Sequence, residues 1–163
     1  MEQILFYTLA AVTVIATILA VAERHPVHAI VYLVTSFFSL AVIFFLLAAP
    51  LIAVFEVIIY AGAVMVLFMF VVMMLDLGGP AQLPTLGRVL PALLLAGITL
   101  VSLGLLIVSR GMEGQGGGGL QLTSVRDFAV TLFTRYGVAI EIISMQLLFA
   151  IVAALYLGRR RRS

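Results

Sequence analysis

Residues 51–75 read LIAVFEVIIYAGAVMVLFMFVVMML, an unbroken apolar run of 25 residues holding one carboxylate, Glu56. As a helix it would extend about 37 Å, longer than a hydrocarbon core of about 30 Å. Pro50 precedes it and Asp76-Leu77-Gly78-Gly79-Pro80 follows it. Four further apolar stretches lie at about 4–22, 27–49, 89–108 and 137–157. Hydrophobic residues make up 64% of the chain and charged ones 10%, where soluble domains run near half and a quarter. The expectation is an all-α integral membrane protein of five transmembrane helices, forming a single membrane domain over residues 1–163.

Composition also removes several function classes. With no cysteine, the chain has no disulfide, no thiolate metal site and no cysteine nucleophile. Its two histidines, His25 and His28, are too few for a buried metal centre. All nine basic residues are arginine, and four of them form the run Arg159-Arg160-Arg161-Arg162 directly after an apolar stretch. That placement reads as a membrane-side anchor, not a nucleic-acid surface. The first stretch has no basic leader before it and no Ala-x-Ala site ahead of a soluble domain, so it is expected to stay as a span.

Between the spans, the loops read from their breakers. Pro26 suits the first turn of the second helix, and the short turn at Pro50 makes helices two and three antiparallel neighbours. Residues 76–88 carry Pro80, Pro84 and three glycines and read as a loop. Arg110 to Gly119 reads as a flexible linker, since its run Gly114-Gln115-Gly116-Gly117-Gly118-Gly119 lacks the Gly-Lys-Ser/Thr ending and the preceding strand of a phosphate loop. From about 124 to 136, apolar residues recur at Val125, Phe128, Ala129, Leu132, Phe133 and Tyr136. This spacing predicts an amphipathic helix on the membrane surface or on a partner, with Ser124 and Asp127 as a capping pair.

Arginine counts set the orientation. A cytoplasmic C-terminus puts Arg24, Arg88 and the four tail arginines on that side, against Arg110, Arg126 and Arg135 on the other. The positive-inside rule then places the N-terminus outside and the C-terminus in the cytoplasm.

Few polar residues enter the spans. Glu56 sits about six residues inside the third one, where an acid faces protein or water and often marks an ion path; the alternative is a shallow acid that snorkels or satisfies a neighbouring helix. Tyr60 falls on the same helix face four residues on, as a hydrogen-bonding phenol or a plain core aromatic. Gly62 either lets another helix approach or makes the backbone deformable, as in an i→i+5 turn. Glu141 is similarly shallow in the fifth span, which also carries Ser144 and Gln146. Thr35, Ser36 and Ser39 in the second span read as hydrogen bonders to their own helix or a neighbour, and Met65, Met69, Met73 and Met74 as adaptable packing. There is no nucleophile–His–acid set, metal cluster or nucleotide motif, so the chain carries no catalytic site and binds no metal or cofactor. So poor in ionisable groups, it is not a complete pump and needs partners.

Residues 56–71, EVIIYAGAVMVLFMFV, closely resemble the third helix of the subunit J family of bacterial NADH-quinone oxidoreductases (respiratory complex I), whose mitochondrial counterpart is NADH dehydrogenase subunit 6. Leu132-Phe133-Thr134-Arg135-Tyr136 followed by Glu141-Ile142-Ile143-Ser144 is similar to the approach to that family's last helix. Where the family commonly has Pro-Phe before this glutamate, the chain has Ala139-Ile140. The resemblance covers essentially the whole chain. It implies a non-catalytic membrane subunit of a proton-pumping translocase in the bacterial plasma membrane, beside subunits A, H, K and N. FMN, iron–sulfur clusters and quinone would be held by other subunits. It also implies a third helix that can carry a π-bulge, whose conversion to regular α-helix opens a proton path. Tyr60 and Gly62 would belong to that switch, Met65 and Val66 to packing that changes face, and Glu56 and Glu141 to the proton path. The competing classes are a stand-alone oligomeric transporter or channel and a purely structural assembly subunit.

Overall fold

A computed structural model of the chain describes residues 2–75, 86–113 and 125–159. Within these residues every regular element is a helix, and five helices are long and apolar enough to cross a membrane. The chain divides into two units, Met1–Leu120 and Gln121–Ser163.

The first unit is built on an antiparallel pair, Glu2–Ala22 and Pro26–Leu46. Leu9, Val12 and Ala16 recur at helical spacing and are buried against the second helix, whose Tyr32, Val42 and Ile43 close the core. In a bilayer apolar contact alone does not draw helices together, since lipid tails are equally apolar; polar contacts and close packing do. Here Ser39 Oγ donates to the Leu9 carbonyl at 3.0 Å, fully buried. The Ser36 hydroxyl lies 3.2 Å from the Thr13 carbonyl and 2.9 Å from the Thr17 hydroxyl, so its one proton has two acceptors on the first helix. Thr35 instead donates to the Val31 carbonyl of its own helix, at 2.9 Å. The reading of these three residues as hydrogen bonders holds, with two crossing to the neighbour.

The second helix stops at Leu46, three residues short of the expected 49. Ala48 has φ 58°, in the left-handed region. Its N–H bonds to the Phe45 carbonyl and the Ala49 N–H to the Phe44 carbonyl. This double closure is a Schellman motif, which satisfies the last carbonyls of the helix and turns the chain away. Glycine usually occupies that position, and an alanine there disguised the stop. Pro50 then opens the third span, Pro50–Met74, which packs along the second helix.

The fourth helix, Leu86–Glu113, exceeds the expected 89–108 at both ends. Leu86, Arg88, Arg110, Met112 and Glu113 are good helix formers, and the single glycines Gly87 and Gly111 weaken the helix without ending it before the glycine run. Residues 86–88 and 110–113 are therefore helical, not loop and linker. One stripe of this helix, Leu95, Thr99, Ser102 and Leu106, is buried. The rest of the expected loop at 76–85, the linker at 114–119, Ser124 and Arg160 to Arg162 lie outside the described residues.

In the second unit the predicted amphipathic piece forms a helix, Val125–Arg135, followed at once by the last span, Gly137–Arg159. Tyr136 joins them, its N–H bonded to the Leu132 carbonyl and its own carbonyl to the Ile140 N–H. No residue of the last span is buried.

Candidate functional site

The third span is not a uniform α-helix. Pro50–Phe55 and Met65–Met74 are α-helical, and between them Glu56–Val64 is π-helical. The Met65 N–H reaches back to the Tyr60 carbonyl, an i→i+5 bond. All three candidate groups of this region, Glu56, Tyr60 and Gly62, fall inside the nine-residue segment.

Its effect shows in which side chains face the second helix. Ala53, Glu56 and Met65 are buried, and the Tyr60 ring lies on Phe37 of the second helix, with centroids 5.5 Å apart and planes at 36°. These contacts step by three, four and then five residues. Steps of three and four are ordinary for an α-helix; the five is the extra residue of the wide turn. Without it, the inward position after Tyr60 would pass to Ala63 or Val64, and both are exposed. Val66, next to Met65, is 65% exposed.

Gly62 lies in this turn. A Cβ built there would sit 3.3 Å from the Val57 carbonyl oxygen, five residues earlier. At Gly97, Gly104, Gly137 and Gly158 a Cβ would meet nothing within 4 Å. Of these five glycines, Gly62 is the one at which a Cβ would crowd its own backbone.

Glu56 begins the wide segment and retains 8% of its exposure, as the buried carboxyl among the described residues. Its burial fits both an acid facing an ion path and one that satisfies a neighbouring helix. Tyr60 is half-exposed, its ring tilted against that of Phe37. Phe37 was invisible as a partner from sequence, because the second span holds Phe37, Phe38, Phe44 and Phe45 and pairing depends on the register set at the Ala48 turn. Glu141 lies in the other unit, on an exposed part of the last span. Among the described residues no three His, Asp or Glu side chains gather into a metal site.

Five apolar helices with a buried acid at the start of a π-helical turn define a multi-pass membrane protein with a specialised third span. The family model of NADH-ubiquinone/plastoquinone oxidoreductase chain 6 matches residues 16–157. The chain is 40% identical over 161 residues to NADH-quinone oxidoreductase subunit J of Pseudomonas aeruginosa, covering 95% of each protein. It is 35% identical over 160 residues to the protein of that name from Escherichia coli K12, covering 97% of this chain and 87% of that one. To the Rhodobacter capsulatus protein of that name it is 32% identical, over 97% of this chain and 82% of the other. The chain belongs to the NADH-ubiquinone/plastoquinone oxidoreductase chain 6 family.

Proposed function

We propose that the chain is the J-type membrane subunit of a proton-pumping NADH:quinone oxidoreductase, and that its third span helps couple quinone reduction to proton translocation. The observation that carries this reading is the π-helical segment Glu56–Val64, which holds the acid, the phenol and the glycine of the span. Family membership over residues 16–157 supports the assembly.

The mechanism follows from the turn's geometry. Changing one turn from i→i+5 to i→i+4 bonding rotates every later side chain by about 100°. Such a two-state element turns a small local change into a new face along the rest of the helix. Met65 leaves the second helix and a neighbour replaces it, while Val66 changes surroundings with it. Tyr60 and Gly62 are the hinge, with Tyr60 held on Phe37 and Gly62 clearing the Val57 carbonyl. Glu56, at the start of the turn, holds a proton at its carboxyl beside the path that opens, and Glu141 serves the same path from the last span. The chain itself has no catalytic site. Lacking cysteine, it supplies no thiolate to an iron–sulfur cluster, and FMN, the clusters and quinone belong to other subunits. Its neighbours are subunits A, H, K and N, in a bacterial plasma membrane, with the N-terminus outside and both units in one membrane domain.

The test is a mild-detergent pull-down from native membranes through a tag after Ser163, followed by an in-gel stain for NADH oxidation. The expected result is migration in a large NADH-oxidising assembly. Migration alone or as a small homo-oligomer overturns the reading in favour of a stand-alone transporter.

A further inference from the structure

The ring contact between the second and third spans is anchored from one side. On the second helix Phe37 stands between Ser36 and Ser39, the two residues whose hydroxyls bond across to the first helix. At about 100° per residue, position 37 lies about 130° around the helix from the midline of those two hydroxyls. The bonds that clasp the second helix to the first therefore fix the backbone of Phe37 and leave its ring to the third span, where it meets Tyr60.

Antiparallel packing carries this fixed point toward the acid. Phe37 meets Tyr60, so one turn further along the second helix Ala41 falls level with Glu56, one turn back on the third. Ala41 and Glu56 are both buried, and so is Ala53, a turn before the acid. The second helix thus offers a small side chain at the level of the carboxyl and a large one at the level of the phenol. The ring centroids, 5.5 Å apart, lie within the range of about 4.5–7 Å at which aromatic pairs attract. Past the wide turn the hold is looser. Met65 is buried, but among residues 66–75 only Val72 is not exposed.

We infer that Phe37 is a positioning residue that pins the Glu56 half of the third span, so that conversion of the wide turn swings the Met65–Met74 half and leaves Glu56 in place. The inference rests on the reading of the turn as convertible, and adds which half moves. A rotation of about 100° on the Glu56 side would part Tyr60 from Phe37 and carry a carboxyl out of its buried position. The same rotation on the other side exchanges one apolar residue, Met65, for another. Glu56 is then a stationary proton group, and the moving half is the wall that opens beside it.

The test reads single cysteines on the tagged chain in the assembled complex, in inverted vesicles of native membrane. Ala53→Cys and Val54→Cys report on the Glu56 half, Val64→Cys and Met65→Cys on the other, each pair holding one buried and one exposed position. A membrane-permeant maleimide is applied at rest and during turnover with NADH and quinone. The expected result is a severalfold exchange of reactivity between Val64→Cys and Met65→Cys on turnover, with Ala53→Cys and Val54→Cys unchanged. In a second arm, Phe37→Ala lets Ala53→Cys and Val54→Cys exchange as well and lowers the proton-to-electron ratio severalfold, with NADH oxidation retained. Phe37→Tyr restores the parent pattern. Where Phe37→Ala does not assemble, Phe37→Leu, apolar but without a ring, gives the same loss. Exchange at Ala53→Cys and Val54→Cys with Phe37 in place overturns the inference, as does an assembled Phe37→Ala or Phe37→Leu complex that keeps the parent pattern and ratio. Exchange at all four positions removes the pivot alone and leaves the turn convertible. Fixed reactivity at all four removes the convertible turn, and the pivot with it.

Discussion

The Met65 N–H bonds to the Tyr60 carbonyl five residues back, and the side chains of the same two residues both face the second helix, Tyr60 on Phe37 and Met65 buried. The wide turn and the packing face are thus one feature. Substitutions that disturb the turn should move the face, and those that spare it should not.

Gly62→Leu tests the hinge. A Cβ at Gly62 already approaches the Val57 carbonyl to 3.3 Å, and leucine favours the α-helix by close to 1 kcal/mol over glycine. The variant should assemble at near-normal levels while quinone-linked proton pumping in inverted vesicles falls severalfold. Normal pumping would show that the turn is not a working part.

Because the chain lacks cysteine, single cysteines report on facing without background. With the wide turn in place, Met65→Cys should resist a membrane-permeant maleimide and Val64→Cys should react. During turnover with NADH and quinone, Val64→Cys should become protected as Met65→Cys gains reactivity. Fixed reactivity at both positions under turnover rules out interconversion.

Glu56→Gln keeps the size and hydrogen-bonding capacity of the side chain but cannot exchange a proton. The proposed role predicts intact assembly, retained NADH oxidation and a severalfold lower proton-to-electron ratio. An unchanged ratio would assign Glu56 to structure alone.

Ala48 adopts φ 58°, which strains a side chain bearing a Cβ. Ala48→Gly should stabilise the folded protein by about 1 kcal/mol, less the entropy glycine adds to the unfolded chain. Reversible unfolding in mixed micelles measures it. A loss of stability would contradict the Schellman geometry.

Ser39→Ala removes a fully buried interhelical bond to the Leu9 carbonyl. That carbonyl also sits within its own helix, so the cost should be about 0.6–1.5 kcal/mol in the same assay. A cost near zero would mean that Ser39 turns back to its own helix in solution.

Much of this architecture can be read from the chain, because spans announce themselves by length and apolarity. Hydropathy found all five helices to within a few residues of most ends. It failed where stops are made by backbone geometry. At Ala48 no glycine marked the left-handed residue, and past Val108 no proline or glycine run ended the fourth helix before residue 113. Gly62 and Tyr60 stood out as unusual within a span, but nothing in their spacing separated a close-packing glycine from a deformable turn. The step from Tyr60 to Met65 shows where the wide turn lies, and it depends on which residues the second helix covers. The Phe37 contact was hidden for a related reason, since register between two spans is set by the turn that joins them.

That turn also constrains how the protein is made. Three residues, 47–49, separate the second helix from Pro50, a reach of about 11 Å at most. The two spans have no slack with which to enter the bilayer separately, so they insert as one helical hairpin. Glu56 then crosses into hydrocarbon with its carboxyl already shielded by the preceding span, and the translocation machinery never has to release a bare acid into lipid.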